Sequence, residues 1–485
     1  MKTVSIKYNF IFNIILTLSS YIATILVFPY VSRVLGVEYI GIFGFINRTI
    51  DYFVLFSTLG ISIIGVREIA SCKDDIKKRS ELFSSFLSLS LVLTFIIIVL
   101  YIIAVFSFAQ LREHKLLFFI GLSKLFFSTL LIEWFYQGIE NFRFISLRDI
   151  LIKVIYVISV FLFVKEKDDY VLFFILNFSM VTANSLVNLY YSKHYIKFKF
   201  NLNRIKIYLK PIFYFGLYKI FDSMYSIFNV VMLGILCSDR ETGYYYAANN
   251  LYYIVLGMFS ALTRVMLPRM TALITDRKNV EFNNLIDKTF SIVFAFNIPI
   301  VIIGILLSPE IIQIMAGKDF VGAIIPLKIM MVLVFINSCA QIVVIQLLIP
   351  LHKDKVILFG SVIATVIALT LNYFFVKKYG AIGSSIILVV SVLCANVYPF
   401  YYAIKNKLLI FPVRQLFINL MYSIPYIIIC VAIKLLFENS IIVLLFAGLI
   451  SLIYFTICQW FYLKNEFVIG VLKSFTLHLH LNYRK

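Results

Sequence analysis

Apolar runs of roughly 15 to 28 residues recur along nearly the whole chain, separated by short polar, charged or glycine-marked breaks. A helix rises about 1.5 Å per residue, so about 20 apolar residues cross a hydrocarbon core of about 30 Å. Run lengths and turn signals predict fourteen membrane helices. Six lie over 9–30, 39–63, 82–109, 116–137, 150–164 and 170–190. Six more lie over 211–236, 243–267, 289–307, 323–349, 356–376 and 381–403. A final pair covers 415–436 and 440–463, ahead of a basic tail. The expected fold is an all-α polytopic membrane protein. Residues 1–192 form one six-helix lobe and 211–404 a second, related by a pseudo-twofold. A basic cytoplasmic linker over 193–210 joins them, and 405–485 holds the last two helices and the tail.

Composition agrees with this pattern. Of 485 residues, 62% are hydrophobic and 14% charged, and the mean hydropathy is +0.97, well outside the range of soluble domains. The run from Phe10 to Phe28 exceeds a signal-peptide core and lacks a small-x-small cleavage site, so it reads as a retained helix. The net charge of +20 has a cause within the topology. Counted from a cytoplasmic N-terminus, Lys and Arg at the inner helix ends outnumber those at the outer ends roughly threefold, as the positive-inside rule requires. Both termini are therefore expected in the cytoplasm, and nucleic acid is not an expected partner. The linker, ending at Pro211 as a first helical residue, and an amphipathic interfacial helix over 269–288 are expected to lie against membrane lipids.

An internal repeat underlies the two lobes. At a constant offset of 202 residues, Gly41 matches Gly243, Asn47 matches Asn249 and Arg67 matches Arg269. Lys124 and Lys328 then fall at comparable places. Parallel six-helix repeats build transporters with a central cavity and alternating access.

Most enzyme chemistry lacks its residues. Gly317-Lys318 is followed by Asp319, which breaks the phosphate-loop pattern. The doublets Asp74-Asp75 and Asp168-Asp169 lie in short loops with no domain to hold a nucleotide sugar. His114, His194, His352, His478 and His480 have no metal-ligand spacing, and six scattered cysteines read as core residues. No metal or cofactor is expected.

The informative charges lie inside the spans. A charge near the bilayer centre costs about 2.5–3.5 kcal/mol on insertion scales, and such residues usually face a bundle interior or a watery cavity. Arg48, Lys124, Lys219 and Lys328 lie within predicted helices, with Arg33 and Arg264 near helix ends. Asp51 and Asp222 stand three residues after Arg48 and Lys219, on the same helix faces, and each pair could simply neutralise itself. Lys124 and Lys328 have no nearby acid on their own helices; Glu133 is two and a half turns beyond Lys124. Six cations against Asp51, Glu133 and Asp222 make an inward-facing cavity net positive. That favours an anionic cargo such as a diphosphate headgroup. The three acids are the candidates for proton or sodium coupling.

The same residues carry a family likeness. S-R-V-L-G-V-E-Y-I-G (Ser32–Gly41) and G-V-R-E-I-A (Gly65–Ala70) resemble the first two helices of Wzx-type polysaccharide-repeat-unit flippases. W-F-Y-Q-G-I-E-N-F-R-F-I (Trp134–Ile145) resembles that family's fourth-helix exit. G-Y-Y-Y-A-A-N-N (Gly243–Asn250) and V-M-L-P-R-M (Val265–Met270) resemble its eighth helix. These flippases belong to a superfamily with multidrug extruders and the lipid II flippase. The resemblance implies a bacterial inner-membrane protein moving an undecaprenyl-diphosphate-linked oligosaccharide to the periplasmic leaflet for O-antigen or capsule assembly, as an ion-coupled antiporter in contact with the polymerase machinery. It implies a cationic lumen, matched at Arg33, Arg48 and Lys219. An outer gate is expected at the turn holding Gly36, Gly41 and Gly44, echoed at Gly243. The alternatives are a multidrug or cation exporter of the same fold, which requires an acidic cavity, and a multispanning polymerase or ligase, which requires a large outer loop.

Overall fold

The computed structural model describes residues 6–72, 75–202 and 205–463. Asp74, Arg204, His478 and His480 lie outside the described residues, as does the side chain of Arg264. Among the described residues the chain is helical almost throughout. The helices are α1 (Ile6–Thr58), α2 (Ile61–Ser71), α3 (Ile76–Ser107), α4 (Ala109–Glu113), α5 (Lys115–Thr129), α6 (Glu133–Gly138), α7 (Phe142–Phe163), α8 (Tyr170–Ser192), α9 (Lys206–Ser226) and α10 (Phe228–Leu236). They continue as α11 (Asp239–Thr275), α12 (Asn279–Leu306), α13 (Ser308–Met315), α14 (Ile324–Gln341), α15 (Asp354–Leu371), α16 (Lys377–Lys405), α17 (Val413–Met421), α18 (Ile424–Leu436) and α19 (Ser440–Ile457).

Among the described residues, nine helical segments, some joining two of these helices, are long and apolar enough to cross a membrane, and ten with α9–α10, a pair bent by 52°. The chain is therefore an all-α, multi-pass membrane protein. Two segments contain glycine breaks. Gly36 lies inside α1 at φ 82° and Gly380 inside α16 at φ 50°, backbone that only glycine adopts freely.

The chain divides into two compact units, Met1–Tyr246 with Thr365–Leu388, and Ala247–Ala364 with Val389–Lys485. In the first unit, α2, α3 and α6 share a core in which Ile64, Phe83, Phe86, Phe135 and Ile145 are fully or almost fully buried. Gly65 lets α2 lie flat on the indole of Trp134, where a Cβ would overlap the ring. In the second unit, α18 and α19 dock through Cys430, Ile433, Val443 and Ala447 around Leu307. Lys434 binds Glu310 at 2.9 Å beside that cluster.

Three local expectations are corrected. No separate interfacial helix occupies 269–288. α11 runs on to Thr275, and α12 starts at Asn279 after Arg277 turns the chain at φ 57°. Pro211 does not open a helix, since α9 begins at Lys206 and carries Pro211 inside it. α7 begins at Phe142, capped by Asn141, whose side chain accepts from the Phe144 amide at 3.4 Å. Arg148, Asp149 and Lys153 therefore lie within a helix rather than at its cytoplasmic edge.

The basic linker is ordered where it leaves α8. Buried Arg79 donates to the Tyr195 carbonyl at 2.8 Å. The amides of Lys197, Lys199 and Asn201 then donate to the hydroxyls of Ser80, Ser84 and Ser88, at 3.3, 3.1 and 3.1 Å. Two extended residues advance about 6.6 Å and four helical residues about 6.0 Å. Alternate linker amides thus match serines spaced four apart on α3.

Candidate functional site

The first unit gathers several of the candidate charges. Asp51 accepts from Arg48 at 3.3 Å on its own helix, α1, and from Lys124 of α5 at 2.5 Å. Lys124 also donates to the Asn47 side-chain oxygen at 2.6 Å. Lys124 therefore does have an acid, supplied by the neighbouring helix rather than its own. Two cations share one carboxylate, so this cluster carries one net positive charge. All three charged side chains are partly accessible, at 21, 27 and 12% for Arg48, Asp51 and Lys124.

The pairing of Lys219 with Asp222 does not form. Lys219 donates to Ser62 of α2 at 2.6 Å, while Asp222 accepts from Tyr225 at 2.7 Å. Glu133 is held by Arg148 at 2.9 Å. Arg148 also donates to Asn188, which donates in turn to the Leu131 carbonyl. This network joins α6, α7 and α8 and fixes the break between α5 and α6. Arg148 sits in R-D-I-L-I-K, a run that looks like a helix end. Reading a turn-length i,i+4 pair between Asp149 and Lys153, which do bond, would have moved the helix start earlier. Arg33, an exposed residue, donates to the Pro29 carbonyl at 2.6 Å.

In the second unit, Lys328 is accessible and has no partner among the described residues. Asn249, the repeat counterpart of Asn47, is buried with its amide nitrogen unbonded. The two repeats thus differ chemically where their sequences correspond.

Of the four glycines expected at a gate, Gly41, Gly44 and Gly243 sit at one helix contact within the first unit, while a Cβ on Gly36 would meet only Lys167. A Cβ on Gly41 would overlap the Asp239 carbonyl and the Gly243 amide, one on Gly243 the Val37 carbonyl, and one on Gly44 the ring of Tyr246. The glycines paired by the repeat are therefore the point where α1 and α11 cross. At this end of the unit, Asp239 lies 3.9 Å from the His114 ring. Among the described residues, no group of His, Cys, Asp or Glu is placed to hold a metal ion.

Long apolar helices with polar and charged groups bonded to one another inside their spans define a multi-pass membrane protein with an internal polar network. The chain belongs to the family described as polysaccharide biosynthesis protein, whose model matches residues 6–274. It is 23% identical over 418 residues to a protein of Escherichia coli (strain K12) named "Putative O-antigen transporter", covering 84% of this chain and 98% of that one. A like-named protein of Shigella dysenteriae is 25% identical over 386 residues, covering 78% and 94%. Among solved structures, the lipid II flippase MurJ in an inward closed conformation shares the fold, with a TM-score of 0.74, 18% identity and coverage of 93% and 98%. An inward-facing multidrug resistance transporter of the MATE family superposes with a TM-score of 0.56, 15% identity and coverage of 81% and 94%.

Proposed function

We propose that this chain is a flippase carrying an undecaprenyl-diphosphate-linked oligosaccharide from the cytoplasmic to the periplasmic leaflet of the bacterial inner membrane. The observation that carries this reading is the Arg48–Asp51–Lys124 cluster, a net positive, partly accessible group inside the spans of the first unit. An anionic headgroup satisfies it; a cationic drug does not. The family match and the O-antigen transporters among the relatives support the same cargo. Lys219, Lys328, Arg33 and Arg264 are the further cations proposed to meet the diphosphate and any acidic sugar. Asp51, Asp222 and Glu133 remain the proposed carriers of a coupling proton or sodium ion. Alternating access would open and close at the Gly41–Gly243 crossing.

Fourteen spans are proposed, with both termini cytoplasmic. Leu18–Thr58 and Asp354–Lys405 have 41 and 52 residues, about 60 and 80 Å of helix at about 1.5 Å per residue. Each is twice a bilayer or more, and each contains a glycine break, so each is read as two spans. α9–α10, α7 and α11 complete the set. The charges on α7 lower its apolarity, but Glu133, Asn188 and Lys153 pair them internally.

In a strain deleted for the chain's own gene, Arg48→Ala is expected to abolish surface polysaccharide at normal protein level, and Arg48→Lys to restore it in part. Undiminished polysaccharide in Arg48→Ala would overturn the cargo assignment.

A further inference from the structure

A cavity of about 200 Å³ lies in the first unit where two helices break. One break separates α1 from α2 at Leu59 and Gly60; the other separates α5 from α6 at Leu130 to Ile132. Leu59 and Ile132 both stand at φ 39°, a left-handed conformation unusual for any branched aliphatic residue. Irregular backbone at membrane depth is tolerated where it lines a cavity, and backbone outliers cluster at ligand sites. Two breaks lining one cavity point to a built site rather than a packing fault.

Its walls mix apolar groups, Ile61, Leu131 and Ile132 among them, with polar ones, and are nearly neutral. Ser90, Ser128 and Gln137 line it, and their side chains make no hydrogen bond to another described residue. Ser62 lines it with its hydroxyl already bonded to Lys219. Glu133 presents a carboxylate whose charge Arg148 balances. Trp134 supplies an aromatic wall, held in place by Gly65 behind it. Unpaired hydroxyls, an amide, a charge-balanced carboxylate and an indole are the groups that bind a polyhydroxylated ring. Its diol edge finds donors and acceptors, and its C–H face finds the aromatic wall. The volume is below the about 300–1,000 Å³ of drug-sized pockets and suits a single ring. Among the lining residues there is no lysine or arginine for a diphosphate, since Lys219 and Arg148 stand behind the wall, bonded to Ser62 and Glu133.

We infer that this cavity is a subsite for one sugar ring of the transported glycan, with Gln137, Ser90, Ser128 and Glu133 as its hydrogen-bonding groups and Trp134 as its stacking wall. The inference rests on the flippase reading and adds a glycan-selecting site to it. Asp51 and Arg48 of the charged cluster lie eight and eleven residues before Leu59 at the α1 break, about 12–17 Å along that helix. Headgroup charge and sugar identity would then be read at separate places in the same unit.

The chain has two tryptophans, so Trp460→Phe leaves Trp134 as the sole reporter in the full-length protein. Purified in detergent, this protein is titrated with the reducing oligosaccharide released by mild acid from the host strain's own undecaprenyl-diphosphate pool. Inorganic phosphate and sodium chloride serve as controls. The expected result is a saturable change in Trp134 emission with the oligosaccharide alone. Gln137→Ala should raise the half-saturating concentration about tenfold, the scale of one well-placed hydrogen bond, and Ser128→Leu should fill the cavity and abolish the response. No saturable change, saturation by phosphate or sodium instead, or a Gln137→Ala curve equal to the parent would each overturn the subsite. Surface polysaccharide judges the underlying reading separately. If gene deletion removes it and the chain restores it, the flippase reading stands whatever the titration gives; if deletion leaves it intact, that reading fails.

Discussion

Lys124 shows how a charge inside a membrane is made tolerable by a neighbour that chain order hides. Asp51 is 73 residues away in sequence and 2.5 Å away in space. Spacing along one helix reveals the Arg48–Asp51 contact, because i,i+3 residues share a face. It cannot reveal Lys124–Asp51 or Glu133–Arg148, which depend on how helices pack. It also misleads at Lys219 and Asp222, which share a face yet bond to Ser62 and Tyr225 instead. The bonded geometry makes Lys124 and Lys328 unequal despite their matching places in the repeat. Lys124→Ala removes the shorter of the two bonds to Asp51 and the donor to Asn47, leaving Arg48 at 3.3 Å, and is expected to cost about 1–3 kcal/mol. Lys328→Ala, at an accessible and unbonded position, should stay within about 0.5 kcal/mol. Unfolding of each variant in detergent checks this, and equal losses would contradict the distinction.

At the scale of elements, the positions of the helices were largely legible. The second of the final pair was expected from 440 and begins at Ser440; the sixth was expected over 170–190 and spans Tyr170–Ser192. Long apolar runs set these limits, since length and hydropathy act locally. The break between α5 and α6 was not legible. T-L-L-I-E-W contains neither Gly nor Pro, and the left-handed Ile132 sits between two tertiary bonds, Asn188 to the Leu131 carbonyl and Arg148 to Glu133. The serine ladder on α3 was equally hidden, because Ser80, Ser84 and Ser88 gain meaning only when the linker lies along them. The glycine crossing was visible as a repeat, though not as a contact. There, even one methyl group is too large. Gly41→Ala should lose about 1–3 kcal/mol as α1 and α11 are forced apart. Gly448→Ala in α19 meets nothing within 4 Å, and should be neutral or gain up to about 1 kcal/mol from helix propensity. Thermal unfolding of the two variants side by side measures the difference.

For the whole molecule, the proposed topology makes a demand that the span lengths alone can enforce. An uninterrupted Leu18–Thr58 helix of 41 residues would overshoot a hydrocarbon core of about 30 Å by about another 30 Å. The overhang would place Phe45, Ile46 and Ile50, all fully buried, outside the membrane region that their packing requires. In the proposed topology a turn at Gly36 resolves this by sending the chain back across. The same argument applies at Gly380, and together the two turns preserve alternation across the remaining segments. Reporter fusions can read each turn directly. An alkaline phosphatase moiety, active only outside the cytoplasm, should be active when fused after Gly36, Glu166 or Lys318. It should be silent after Glu140, Lys199 or Lys407. If α1 were one span, a fusion after Gly36 would lie in mid-membrane, and the sidedness of every later fusion would reverse. Activity after Lys199 would therefore contradict the two-span reading of α1, and with it the cytoplasmic placement of the linker strapped to α3.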